Sequence, residues 1–75
     1  MTTDQLTTST ASGLRNHLQL LERERASAAL TPLADDASYM ADLMDEIGAV
    51  RSAYVGAAVT EIASLRAALD APLIG

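Results

Sequence analysis

The sequence predicts an all-α protein: a two-helix antiparallel hairpin with a short first helix, about residues 12–30, and a long second helix, about 32–69, that assembles into a helical bundle. No proline interrupts the run from Leu33 to Leu69, and apolar residues recur in it at helical spacing. At about 1.5 Å per residue the second helix would be roughly 55 Å long, and the first only about half of that. The chain cannot cover its own long helix, so we expect copies of the chain, or another protein, to cover it.

Composition leaves oligomerisation as the main support for so small a fold. The chain has 75 residues, no cysteine and a single histidine, His17. Disulfides, thiolate metal sites and histidine-rich metal sites are therefore excluded, although a chain of this size usually needs such a support. His17 lies beside the apolar stripe of the first helix, where a surface or boundary histidine is typical. The sequence has no nucleophile–base pair, phosphate loop or metal motif, so we expect a protein that is not an enzyme and needs no cofactor or metal.

The charge and hydropathy of the chain disfavour two classes of partner. The net charge is −5, with five arginines and no lysine, so neither nucleic acid nor an anionic membrane surface is an expected partner. The most apolar stretch, residues 47–60, carries Arg51 and is shorter than the ~20 residues that a membrane span needs. The first residues lack the cationic start and apolar core of a secretory signal. We therefore expect the protein in the cytoplasm, or within a particle assembled there.

The first helix is expected to follow a polar arm. Residues 1–11 are rich in Thr and Ser and can bury little, so they predict a flexible arm, or one that orders against a neighbouring subunit. Ser12 is the predicted N-cap. One stripe follows at helical spacing, made of Leu14, Leu18, Leu21, Arg25 and Ala28.

The boundary between the helices is predicted from Thr31 and Pro32. Thr31 can cap the second helix with Pro32 at its first position, which proline favours. Asp35 and Asp36 would then lie in the first turn, where carboxylates favour the positive end of the helix dipole. A start after Asp36 is the alternative.

The long helix carries two apolar faces, which favours a multi-helix bundle over a two-stranded zipper. A heptad seam runs through Met40, Leu43, Ile47, Val50 and Tyr54 and continues, after a stutter near Ala58, through Ile62, Leu65 and Leu69. A second stripe runs through Met44, Val55, Val59 and Ile62. The predicted surface for self-association or a partner comprises Met40, Leu43, Ile47, Val50, Arg51, Tyr54, Val55, Val59, Ile62, Leu65 and Leu69.

Small residues at the centre of the long helix predict close packing of another helix. Gly48, Ser52 and Gly56 recur every four residues, and glycine inside a helix costs ~1 kcal/mol against alanine. Close backbone approach would explain that cost, whereas the alternative is a weak, bent point in the helix. After Asp70 the chain continues through Pro72 to Leu73 and Ile74, which form either a frayed end or an apolar tail that docks on a neighbour.

The positions of two groups of charged residues predict what these residues contact. Arg51 has no acidic residue three or four positions away, so we expect it to pair with Glu22 or Glu24 of a first helix, in the same chain or another. Asp42, Asp45 and Glu46 share one helix face and could attract a hard cation, but a solvated acidic face is the preferred interpretation.

These features predict a non-enzymatic structural or assembly subunit that oligomerises through its long helix. In shape the chain resembles small helical assembly subunits, including minor structural proteins of phages and injection machines, which implies a component of a phage particle or a similar large assembly. The expected partners are the chain itself or other proteins of that assembly. The alternative is a small acidic adaptor or inhibitor, antitoxin-like, that binds a partner protein through an amphipathic helix.

Overall fold

The computed structural model describes residues 10–71, which form two helices joined by a short turn. Helix α1 spans Ala11–Ala28, a 3-10 turn spans Pro32–Asp35, and helix α2 spans Ala37–Asp70. The helices run antiparallel, because the first residue of α1 contacts Glu61 in the second half of α2, and Glu24 near the end of α1 contacts Tyr39 near the start of α2. The described residues contain no strand. The predicted helical hairpin, with a short first and a long second helix, is confirmed.

Helix α1 starts slightly earlier than its sequence predicted. The N-cap is Thr10 rather than Ser12, because the Thr10 backbone is extended and its side-chain oxygen accepts from the Gly13 amide at 3.0 Å. A threonine hydroxyl can take this role, since its oxygen, like that of serine, can satisfy a free amide in the first turn. The helix therefore includes Ala11 and Ser12.

Helix α2 begins five residues later than the predicted start at residue 32, at the alternative boundary. Thr31 does cap a helical turn with Pro32 at its first position, but that turn is a separate 3-10 segment. Asp36 has an extended backbone and ends this 3-10 segment. The Asp36 carboxylate accepts a hydrogen bond from the Tyr39 amide at 3.0 Å. Asp36 is thus the N-cap of α2 rather than a residue of its first turn, and aspartate is a stronger cap than threonine.

The core lies between α1 and the first half of α2. Leu21, Leu43 and Ile47 form its centre, with Ile47 only 1% exposed. Leu18, Tyr39 and Val50 pack around this cluster, and two further buried positions on α1 are Leu14 and Ala28. The four apolar members of the predicted α1 stripe thus face α2, whereas Arg25 is exposed. Such a core is small, as expected for a short chain.

The two helices differ nearly twofold in length, and this difference leaves part of α2 uncovered. Helix α1 has 18 residues and α2 has 34, or about 27 Å and 51 Å at 1.5 Å per residue. The first amide of α1, at Ala11, donates to Glu61 Oε2 at 2.7 Å. From Ile62 onward α2 therefore extends past the start of α1. No helix in residues 10–71 has the length and apolar character required to cross a membrane.

Candidate functional site

The exposed side of α2 carries a continuous row of seven residues, which we call the open stripe. Its members follow one another at spacings of three and four residues, which places them on one face of the helix. All seven are exposed. The open stripe consists of Asp45, Gly48, Ser52, Val55, Val59, Ile62 and Arg66.

Large apolar side chains are concentrated in the second half of α2. Val55 is 54% exposed, Val59 61% and Ile62 56%. Two more, Leu65 and Leu69, continue along the overhanging end with exposures of 60% and 74%. A contiguous apolar patch of this kind is typical of an interaction surface.

The structure divides the eleven residues of the predicted association surface into two groups. One group faces α1 of the same chain: Leu43 and Ile47 are buried there. The same group includes the partly buried residues Met40, Val50 and Tyr54. The other group is exposed and consists of Val55, Val59, Ile62, Leu65 and Leu69. Arg51 is exposed as well, but its guanidinium lies against Glu22 of α1. The first half of the seam therefore holds the hairpin together, and the second half has no cover among the described residues.

The glycines of α2 have no close neighbour within the described part of the chain. A methyl group added at Gly48 or at Gly56 would meet nothing within 4 Å, and Ser52 between them is exposed. The hairpin itself therefore does not require either glycine. Residues 10–71 of a single chain therefore do not make the predicted close packing at these positions.

Polar contacts line both sides of the hairpin core. The predicted pair between Arg51 and α1 is present, because Arg51 Nη2 lies 3.1 Å from Glu22 Oε2 of the same chain. Tyr39 Oη donates to Glu24 Oε2 at 2.7 Å, and this hydrogen bond raises the pKa of Tyr39 above its ordinary value.

The contacts of Tyr39 and Glu46 were missed by the sequence reasoning. His17 Nε2 lies 3.7 Å from Glu46 Oε2, a contact that becomes an ion pair when the imidazole is protonated. His17 and Glu24 are one heptad apart on α1, as are Tyr39 and Glu46 on α2. In an antiparallel hairpin of known register, residues with these matching spacings are expected to lie opposite each other. The sequence did not give the register, because it left open the residue at which the turn ends.

Two further features bear on binding. The described residues contain no group of three or more side chains that could hold a metal ion, so Asp42, Asp45 and Glu46 do not form such a cluster. A shallow groove of about 240 Å³ lies where α1 begins, lined by Ala11, Ala58, Glu61, Ile62 and Leu65. The predicted docking residues Leu73 and Ile74, and the arm up to residue 9, lie outside the described residues.

Fold and surface together define a small helical hairpin whose long helix is covered along only part of its length. No known protein family, curated protein or solved structure matches the chain.

Proposed function

We propose that this protein is a non-enzymatic structural or assembly subunit that associates with copies of itself through the exposed face of α2. The observation that carries the proposal is the run of outward-facing apolar side chains from Val55 to Leu69, each more than half exposed. No other part of residues 10–71 covers these side chains.

Burial of this surface would add substantially to a small core. Full burial of one Val, Leu or Ile side chain contributes ~1.5–3 kcal/mol relative to exposure. Among the described residues, the central cluster of the hairpin has three buried members, Leu21, Leu43 and Ile47. Chains of this size commonly need oligomerisation to be stable, and association would supply the missing apolar burial.

The proposed setting is the cytoplasm, or a particle such as a phage that is assembled there. This part of the proposal is supported by composition and by the analogy of shape. The net charge of −5 supports protein partners over nucleic acid.

Size-exclusion chromatography coupled to light scattering, over a hundredfold range of concentration, tests the proposal. We expect a discrete oligomer for the natural sequence and a smaller mass for Val59→Glu, which places a charge on the apolar patch. The matched control is Thr60→Glu, because consecutive helix residues lie ~100° apart and Thr60 faces a different side. Thr60→Glu should keep the mass of the natural protein.

Two results would contradict the proposal: a monomer at every concentration, or an oligomer that Val59→Glu leaves intact. A stable monomer that copurifies with one stoichiometric partner would favour the acidic adaptor instead.

A further inference from the structure

We propose that the open stripe is self-complementary and pairs α2 antiparallel with α2 of a second copy, about a two-fold axis at Val55. This inference rests on the proposed self-association and adds its orientation and register. The candidate occupant of the stripe is therefore a second copy of this chain rather than an unrelated protein.

The stripe has a special order of residue types along α2. It begins with an acidic residue and two small ones, and it ends with two large apolar residues and a basic one. When the open stripes of two copies run antiparallel, each residue other than Val55 therefore faces a residue of a different type. Asp45 faces Arg66 of the second copy, Gly48 faces Ile62, Ser52 faces Val59, and Val55 faces Val55.

Side-chain size is complementary in this arrangement. Each bulky side chain, Val59 or Ile62, meets a small residue of the other copy, so the two helices can approach closely. Gly48 has open space around it in the isolated hairpin, since an added methyl group would meet nothing within 4 Å. Ile62 of the second copy would fill that space, which explains a glycine that the hairpin does not require.

Charge is complementary as well. Within residues 10–71 the side chains of opposite charge that lie close together are Arg51 and Glu22, and His17 lies beside Glu46, so neither Arg66 nor Asp45 has an ionic partner there. Antiparallel pairing brings the Arg66 guanidinium of one copy to the Asp45 carboxylate of the other. Because a two-fold interface repeats every contact, this ion pair forms twice.

A parallel, in-register pair of α2 helices would lack both the charge and the size complementarity. It would set Arg66 against Arg66 and Asp45 against Asp45, and like charges placed together oppose association. It would also place Gly48 on Gly48, where no side chain fills the gap.

Charge-reversal variants test whether the α2 helices of the two copies run antiparallel. We expect Arg66→Glu and Asp45→Arg each to raise the dissociation constant about tenfold, because each replaces two attractive pairs by two repulsive ones. The double variant Arg66→Glu/Asp45→Arg should restore the natural value. Sedimentation equilibrium gives the constants, and circular dichroism checks that each variant keeps its helices. Arg23→Glu, an exposed change on α1, is the matched control and should change nothing.

Two leucine substitutions test the close contact. Gly48→Leu should leave the hairpin folded, because nothing in residues 10–71 lies near that position, but should weaken association by blocking Ile62 of the second copy. Thr60→Leu introduces the same side chain at an exposed position on a different side of α2, so it should leave association unchanged.

The outcomes separate this inference from the proposed function. If Val59→Glu dissociates the oligomer while both charge reversals leave it intact, or if Thr60→Leu weakens association as much as Gly48→Leu, the antiparallel register is wrong and self-association stands. If the double charge reversal fails to restore association, the register is likewise wrong. If the natural protein is a monomer at every concentration, both proposals fail.

Discussion

Arg51 Nη2 of α2 lies 3.1 Å from Glu22 Oε2 of α1, and this contact ties the middle of the long helix to the short one. The two side chains are about half exposed, at 54% and 46%. The pair therefore joins the two helices at the solvent side of the core. Water weakens such a pair, since exposed charges interact in a high dielectric.

Removal of this ion pair should have a small, measurable cost. Arg51→Ala and Glu22→Ala should each lower the free energy of unfolding, with a coupling between them of ~0.2–1 kcal/mol, the range of exposed pairs. A double-mutant cycle in urea measures the coupling, and added salt should reduce it. Unchanged stability and unchanged assembly for Arg51→Ala would show that the contact does not hold the helices together.

Truncation of two isoleucines of α2 should lower the free energy of unfolding by very different amounts. Ile47→Ala should lower the free energy of unfolding by ~2–5 kcal/mol, because Ile47 is buried and the change leaves a cavity. Ile62→Ala should have little effect on the isolated hairpin, since Ile62 is 56% exposed. Urea denaturation at concentrations too low for association provides the comparison. Equal costs for the two variants would contradict the core described above.

The two adjacent aspartates at the start of α2 should differ in their contributions. Asp36→Ala should cost ~0.5–2 kcal/mol, because it removes the side-chain cap on the Tyr39 amide. Asp35 belongs to the 3-10 turn and caps nothing in α2, so Asp35→Ala should cost less. Thermal unfolding followed by circular dichroism ranks the two. A larger loss for Asp35→Ala would place the helix start earlier than Asp36.

Tyr39 should ionise at a higher pH than an ordinary tyrosine. Its hydroxyl donates to Glu24, and a phenolate beside that carboxylate is disfavoured, so the pKa rises above 10.0. The raised pKa stabilises the fold at pH values below 10, and this contribution is lost as the pH rises through the folded-state pKa, because the unfolded chain ionises first.

Phenolate absorbance measures this ionisation. The chain has two tyrosines, so a Tyr54→Phe background isolates the signal of Tyr39. Glu24→Gln in that background should lower the pKa of Tyr39, because it removes the carboxylate that opposes the negative charge. An identical titration curve with and without Glu24→Gln would mean that the hydrogen bond does not persist in solution.

The sequence predicted the elements because their signals are local. Apolar residues at spacings of three and four specify a helix wherever the partner lies, and Pro32 had to interrupt the helical run. The contact of Arg51 with Glu22 was also predictable, since Arg51 has no acidic residue within reach on its own helix. The capping residues Thr10 and Asp36 were harder to choose, because several neighbouring residues have side chains that can cap a helix.

By itself, the sequence determined that this protein is a helical hairpin of unequal arms whose long helix has two apolar faces. Only the tertiary structure decided which apolar residues are buried. The turn sets where α1 meets α2, and α1 begins beside Glu61, so Leu43 and Ile47 are covered whereas Ile62 and Leu65 are not. The reason is physical: periodicity along a helix is a property of neighbouring residues, whereas burial depends on the length and register of the helix that packs against it.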